Sequence, residues 1–113
     1  MKEFIRKVED EFGRIKAEIA SIEAEKKRIE RILNECIQNI GKMERYAKKA
    51  EGSGRLQEAQ RFRQQKDELL VEQERLEKEY EHVTSQAQKM RELYEKLAAD
   101  MKEIEAMRRQ ENW

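Results

Sequence analysis

Apolar residues recur at alternating steps of three and four along almost the whole chain, and this spacing constrains the fold more than any other feature. A 3-4 repeat keeps one face of a helix turned toward a partner helix, so it is typical of a coiled coil. Only Lys26 interrupts the first stripe, whereas Lys66, Gln73 and Arg108 interrupt the second. The first stripe runs through Ile5, Val8, Phe12, Ile15, Ile19, Ile22, Ile29, Leu33, Cys36, Ile40, Met43, Ala47 and Ala50. The second runs through Ala59, Phe62, Leu69, Leu76, Tyr80, Val83, Ala87, Met90, Tyr94, Leu97, Met101 and Ile104.

A Gly-Ser-Gly cluster, residues 52 to 54, separates the two stripes. Glycine ends a helix readily, and serine or glycine can cap the helix that follows. The pattern predicts helix 1 over about 3–50, a turn at 51–55 and helix 2 over about 56–110. Two seams of similar length joined by a short turn favour an antiparallel hairpin. We therefore predict an all-α fold in which residues 1–113 form a single coiled-coil hairpin domain.

The register of the two helices can also be predicted from the position of the turn. In antiparallel packing, residue numbers rise on one helix as they fall on the other, so each layer pairs two numbers with a constant sum of about 109. This register places Ile29 beside Tyr80 and Phe12 beside Leu97. The polar interruptions then face apolar partners, and a long lysine such as Lys66 can extend out of its layer toward water.

Composition limits the classes of protein that fit this chain. Charged residues make up 44% of it, there is no proline, and the formal net charge is zero, so no global field steers it toward nucleic acid or an anionic membrane. The single cysteine, Cys36, excludes an intrachain disulfide and is compatible with a reducing compartment. No apolar run approaches the roughly 20 residues that a membrane-spanning helix needs. We expect a cytoplasmic protein, or a nuclear one if the source is eukaryotic.

Residues that could support catalysis are sparse. Cys36 and His82 are single representatives of their types and lie far apart in the expected register, so they predict neither a zinc site nor a thiol–imidazole pair. The Gly-Ser-Gly turn lacks the strand, lysine and spacing of a phosphate-binding loop. We expect no enzyme activity, no metal and no cofactor.

Several apolar residues lie outside the stripes and mark a candidate surface for a partner protein or a second copy. A two-helix hairpin buries only one stripe on each helix and is marginally stable without a further partner. Such residues either form an interaction patch or simply widen the seam. They are Ile32, Ile37, Leu70, Val71 and Leu93.

The region of the turn is predicted to form a basic tip. From residue 42 to residue 66 there are eight basic and three acidic residues, whereas from 67 to 81 there are two basic and seven acidic residues. A basic tip can dock onto an acidic surface or onto RNA phosphates, although solvated charge is the ordinary alternative. The candidate tip residues are Lys42, Arg45, Lys48, Lys49, Arg55, Arg61 and Arg63.

The opposite end of the hairpin carries a third candidate surface. Phe4, Met107 and Trp113 form an expected apolar cluster at the open end. A short amphipathic N-terminal helix can lie on a membrane. Because Ile5 and Phe12 belong to the heptad seam, however, the sequence argues against membrane binding by this segment.

Part of the chain resembles the coiled-coil hairpin of the Luc-seven-like splicing factors. The resemblance extends over residues 40 to 80, about a third of the chain. It rests on Ile40-Gly41-Lys42, Ala47, Gly54, Glu58-Ala59-Gln60-Arg61 and Tyr80. It implies a scaffold associated with RNA or a ribonucleoprotein, but the cysteine and histidine ligands of that family's zinc fingers are absent here, so only the scaffold portion would carry over.

A second resemblance is to the hairpin of phage shock protein A and its relatives. Lys49-Ala50-Glu51 near the tip is similar to that family's Lys-Ala-Glu, and a long charged return helix follows. The family's separate N-terminal membrane helix is missing or shortened to residues 1–12. This resemblance implies membrane-associated assembly into larger oligomers.

These observations favour a non-enzymatic coiled-coil scaffold or adaptor that binds a protein partner or a second copy, for example as a homodimer. The alternatives are an RNA- or ribonucleoprotein-associated module that uses the basic tip, and a membrane-associated scaffold of the phage shock protein A type.

Overall fold

The computed structural model describes residues 2–111 and contains two long helices. Helix α1 spans Lys2–Gly52 and helix α2 spans Leu56–Glu111, joined by a turn of three residues. Neither Gly13 nor Gly41 interrupts α1, as expected of glycines on the outer face of a coiled coil. The prediction of an all-α antiparallel hairpin with a Gly-Ser-Gly turn is confirmed.

The described residues divide into two compact units. Lys26–His82 form the turn unit, and the residues up to Glu25 together with those from Val83 onward form the terminal unit. Every buried side chain in residues 2–110 belongs to one of the two predicted stripes. The turn unit buries Ile29, Cys36, Ala47, Ala50, Ala59 and Leu76, and the terminal unit buries Ile5, Ile15, Val83 and Ala87. Small residues lie beside the turn, and most larger members of the stripes stay half-buried because each has only one helix to pack against.

Contacts between the helices show the antiparallel register within each unit. In the turn unit the rings of Tyr46 and Phe62 lie 5.4 Å apart. The Tyr80 hydroxyl reaches Glu30 at 2.9 Å, at the level predicted for Ile29. In the terminal unit Phe12 stacks on Tyr94 with ring centroids 4.9 Å apart, one seam position from the predicted partner Leu97. Offset stacking of two rings is a favourable arrangement that the apolar pattern alone does not specify.

The turn ends α1 by a Schellman arrangement centred on Gly54. The Arg55 N–H donates to the Ala50 carbonyl at 2.8 Å, and the Gly54 N–H donates to the Glu51 carbonyl at 3.1 Å. Gly54 has a φ of 77°, the left-handed conformation that this motif requires. These bonds satisfy carbonyl groups at the end of α1, and the helix therefore continues through Gly52, two residues beyond the predicted end.

Ser53 contributes to the end of α1 and not to the start of α2. Its hydroxyl donates to the Lys49 carbonyl at 3.1 Å. The first bond of α2 instead runs from the Ala59 N–H to the Arg55 carbonyl at 3.0 Å, so Arg55 takes the N-cap position. The expectation that serine or glycine would cap the second helix is therefore wrong. The cap residue is Arg55, whose side chain forms an ion pair with Glu58.

Candidate interaction surfaces

Polar contacts bridge the two helices along one flank of the turn unit. In an antiparallel coiled coil, residues that directly follow the second apolar position of each heptad share a flank. We call the contacts on this flank the polar ladder. They are Arg63 with Glu51, Lys66 Nζ with Glu44 Oε2 at 2.9 Å, and the Tyr80 hydroxyl with Glu30 Oε1 at 2.9 Å.

An apolar gap lies within this ladder and is formed by Ile37 and Leu70. The Cys36 thiol donates to the Leu69 carbonyl at 3.4 Å. Ile37 and Leu70, which directly follow these two seam residues, therefore lie on the same flank at neighbouring levels. Ile37 retains 46% and Leu70 retains 42% of its accessible surface. The ladder therefore has polar bridges toward the turn and away from it, with two exposed aliphatic side chains between them.

The structure distributes the other members of the predicted apolar patch differently. Val71 is 70% exposed and lies on the outer face of α2, next to Leu70. Ile32 is half-buried and lies on the opposite flank, because it precedes the seam residue Leu33. Leu93 is exposed but belongs to the terminal unit. Ile37, Leu70 and Val71 thus form the part of the patch that the turn unit brings together.

All seven residues of the predicted basic tip are exposed. Three of them have acidic partners: Lys48 with Glu44 at 4.0 Å, Arg55 with Glu58 at 3.3 Å, and Arg63 with Glu51. The hydrogen bond that Arg63 donates to Glu51, together with the charge of that carboxylate, raises the pKa of the Arg63 guanidinium. Among the described residues, no ion pair involves Lys42, Arg45, Lys49 or Arg61, so four cationic groups at the tip are exposed and form no ion pair there.

The open-end cluster is only partly within the described residues. Phe4 is 59% exposed and Met107 is 54% exposed, whereas the adjacent seam residue Ile5 is buried. Trp113 lies outside the described residues. The two described members are therefore accessible apolar side chains in the terminal unit.

The two side chains considered for chemistry lie in different surroundings. Cys36 is buried, and desolvation together with the Glu72 carboxylate raises the pKa of its thiol, which disfavours the nucleophilic thiolate. His82 is exposed on α2. Within residues 2–110, no three histidine, cysteine or carboxylate side chains are grouped as metal ligands would be.

Neither helix, over the part described, has a segment long and apolar enough to cross a membrane.

The acidic residues of the polar ladder were not among the candidate site residues predicted from the sequence. Glu30, Glu44 and Glu51 looked like solvated charges, because the heptad pattern identifies flank positions without identifying which partner each side chain reaches. Their positions directly after the seam residues Ile29, Met43 and Ala50 are the signal that could have identified them.

Comparison with known proteins gives one informative similarity. Over 104 residues, 92% of the chain, the sequence is 32% identical to the phage shock protein A homolog of Bacillus subtilis strain 168. The match covers 46% of that protein, so the chain spans about half the length of this relative. No family model and no solved structure matches. The similarity agrees with the resemblance to phage shock protein A, whereas these comparisons lend no support to the resemblance to Luc-seven-like splicing factors.

Proposed function

We propose that this chain is a non-enzymatic coiled-coil scaffold whose copies associate through the apolar gap formed by Ile37 and Leu70, with Val71 at its edge. The observation that carries the proposal is the interruption of the polar ladder by exposed aliphatic side chains. A flank used only for solubility would have charged side chains at these positions, as it does at Glu44 and Glu51 toward the turn and at Glu30 away from it.

The free energy available from apolar burial at this surface is modest. Full burial of an aliphatic side chain contributes about 1.5–3 kcal/mol, and Ile37 and Leu70 each retain a little under half of that potential. In a two-fold contact each copy supplies the same residues, so the contributions double. Such a contact favours association at high local concentration and dissociation on dilution.

Similarity to the phage shock protein A homolog supports an assembling scaffold over the other candidate functions. The resemblance to that family implies assembly into larger oligomers, which requires surfaces beyond those that hold one hairpin together. The exposed flank supplies a surface of that kind, because the seam itself is already occupied.

Substitution at the apolar gap tests the proposal. We expect Ile37→Asp and Leu70→Asp to shift the concentration-dependent mass in analytical ultracentrifugation toward the monomer while helix content by circular dichroism is unchanged. Gln38→Asp is the matched control, since it adds the same charge at an exposed neighbouring position and should leave the mass distribution unaltered.

Two results would contradict the proposal. The first is an unchanged mass distribution in both aspartate variants. The second is a loss of helix content in the milder variants Ile37→Gln and Leu70→Gln, which would assign these residues to hairpin stability.

A membrane-associated scaffold of the phage shock protein A type is the second candidate, and the similarity to that relative favours it. In this case the exposed Phe4 would enter the lipid surface, while Ile5 remains in the seam. Flotation with anionic vesicles that is lost in Phe4→Ser supports this candidate, and absence of flotation by the unmodified protein rejects it.

A further inference from the structure

The outer faces of the two helices in the turn unit carry opposite charge. On α1 near the turn, Lys42 and Lys49 are seven residues apart, which places them on one face two turns apart. Arg45 and Lys48 are exposed on the adjoining surface. Of these four residues only Lys48 approaches a carboxylate, that of Glu44 at 4.0 Å. We call this surface the basic face.

The acidic residues lie on the outer face of α2 and directly follow the tip in sequence. Asp67, Glu74 and Glu81 follow one another at intervals of seven residues, and all three are exposed. Lys78 approaches Glu74 at 3.6 Å, and Arg75 forms ion pairs with Glu72 and Glu79. In the described chain no ion pair involves Asp67 or Glu81. We call Asp67, Glu74 and Glu81, with the exposed Glu68, the acidic face.

We propose that the basic face of α1 docks on the acidic face of α2 in a second copy of this chain. Both faces repeat every seven residues, or about 10 Å along a helix, so Lys42 and Lys49 of one copy can meet two successive carboxylates of another. The proposal deepens the proposed function, on which it rests, by naming a second surface for assembly.

Charge balance favours a second copy over a nucleic acid or a lipid surface as the occupant. Residues 42 to 66 have eight basic and three acidic residues, residues 67 to 81 have seven acidic and two basic residues, and the whole chain has a formal net charge of zero. A polyanion can pair only with the basic face and leaves the carboxylates of the acidic face without a partner molecule. A second copy satisfies both faces at once.

This contact joins two different surfaces, so it is heterologous and leaves a free basic face and a free acidic face at the ends of every assembly. Exposed ion pairs are individually weak and are screened by salt. Association through this contact is therefore salt-sensitive, whereas association through the apolar gap depends little on salt.

Charge reversal tests the contact by sedimentation velocity at low and high salt. We expect Lys42→Glu with Lys49→Glu to weaken association about tenfold at low salt, and Glu74→Lys with Glu81→Lys to do the same. The chain that combines all four substitutions keeps a net charge of zero and should associate with itself again, because both faces have exchanged sign. Lys7→Glu with Lys96→Glu changes net charge equally at exposed sites elsewhere and should associate like the unmodified protein.

Several outcomes would overturn the contact. The first is that the control pair weakens association as much as the charge reversals do. The second is that the fourfold variant does not recover association. The third is that the unmodified protein binds a single-stranded RNA oligonucleotide or anionic vesicles and that Lys42→Glu with Lys49→Glu abolishes this binding. Circular dichroism checks that each variant is helical, and Lys42→Gln with Lys49→Gln replaces the reversal if it is not; an unchanged association constant in that milder variant also overturns the contact.

The two proposals fail in different ways. If the unmodified protein stays monomeric at all concentrations, self-assembly itself is rejected. If it associates and only the aspartate variants at the apolar gap reduce its mass, the charged contact alone is rejected.

Discussion

Polar residues within the seam have polar or aromatic partners. The Lys66 ammonium extends to Glu44, as expected of a lysine that leaves its layer toward water. The Lys26 ammonium lies 5.6 Å from the centre of the Tyr80 ring, which is within the range of a cation–π interaction. Gln73 donates to Glu77 on its own helix at 3.0 Å. These residues leave no buried polar atom unsatisfied among the described side chains.

The pair of Glu44 and Lys66 makes hairpin stability depend on pH. The hydrogen bond from Lys66, followed by its charge, lowers the pKa of Glu44 below its usual range. Because the pKa is lower in the folded than in the unfolded state, the stabilisation is present above the unfolded pKa of about 4.3 and is lost as pH falls through the folded pKa.

We expect Glu44→Gln to lower the free energy of unfolding at pH 7 and to have a smaller effect at pH 2–3, because protonation of Glu44 in the unmodified protein increases as the pH falls. Urea unfolding at both pH values measures the difference. Glu35→Gln removes an exposed carboxylate of the same helix that has no ion-pair partner in the described chain and serves as the control. An effect of Glu44→Gln that is equal at both pH values would exclude the ion pair as its cause.

The turn element depends on the backbone conformation of one glycine. Gly54 has a positive φ, which an L side chain adopts at a cost, whereas Gly52 lies inside α1 with ordinary helical geometry. A Cβ added at either position would meet no atom within 4 Å, so backbone conformation and not crowding distinguishes the two glycines.

We expect Gly54→Ala to destabilise the hairpin by about 1 kcal/mol, since alanine opposes the left-handed conformation of the Schellman turn. Gly52→Ala should be neutral or stabilising by up to about 1 kcal/mol, because alanine favours the helix more than glycine does. Thermal unfolding of the two variants under the same conditions measures both effects. Equal destabilisation by the two substitutions would show that the φ of Gly54 is unimportant.

At the scale of the whole molecule, the sequence predicts a single domain, whereas the contacts within the described residues cluster into two units. Each unit has its own buried residues, with Ile15 in the terminal unit and Ile29 in the turn unit. Both helices run through the boundary between the units, and this continuity can couple the unfolding of one unit to that of the other.

If residues 1–113 fold as one domain, a core substitution in one unit should destabilise both. We expect Ile29→Ala to cost about 2–4 kcal/mol and to lower the protection of the slowest-exchanging amides in both units by the same free energy. Hydrogen exchange resolved by segment measures this, with the outer-face substitution Ser21→Ala as a control. Loss of protection confined to the turn unit would contradict the single-domain prediction.

The sequence by itself determined the two helices, the position of the turn between them and the residues that they bury. The 3-4 spacing is a property of one helix, so it can be read without knowledge of the partner, and Ile29 and Leu76 are buried as that spacing predicts. Only the tertiary structure decided which side chains meet across the pair. It stacked Phe12 on Tyr94, directed Ser53 back to α1 and placed Ile37 and Leu70 between polar bridges. Such contacts depend on the level and rotation of one helix against the other, which spacing along a single helix does not encode.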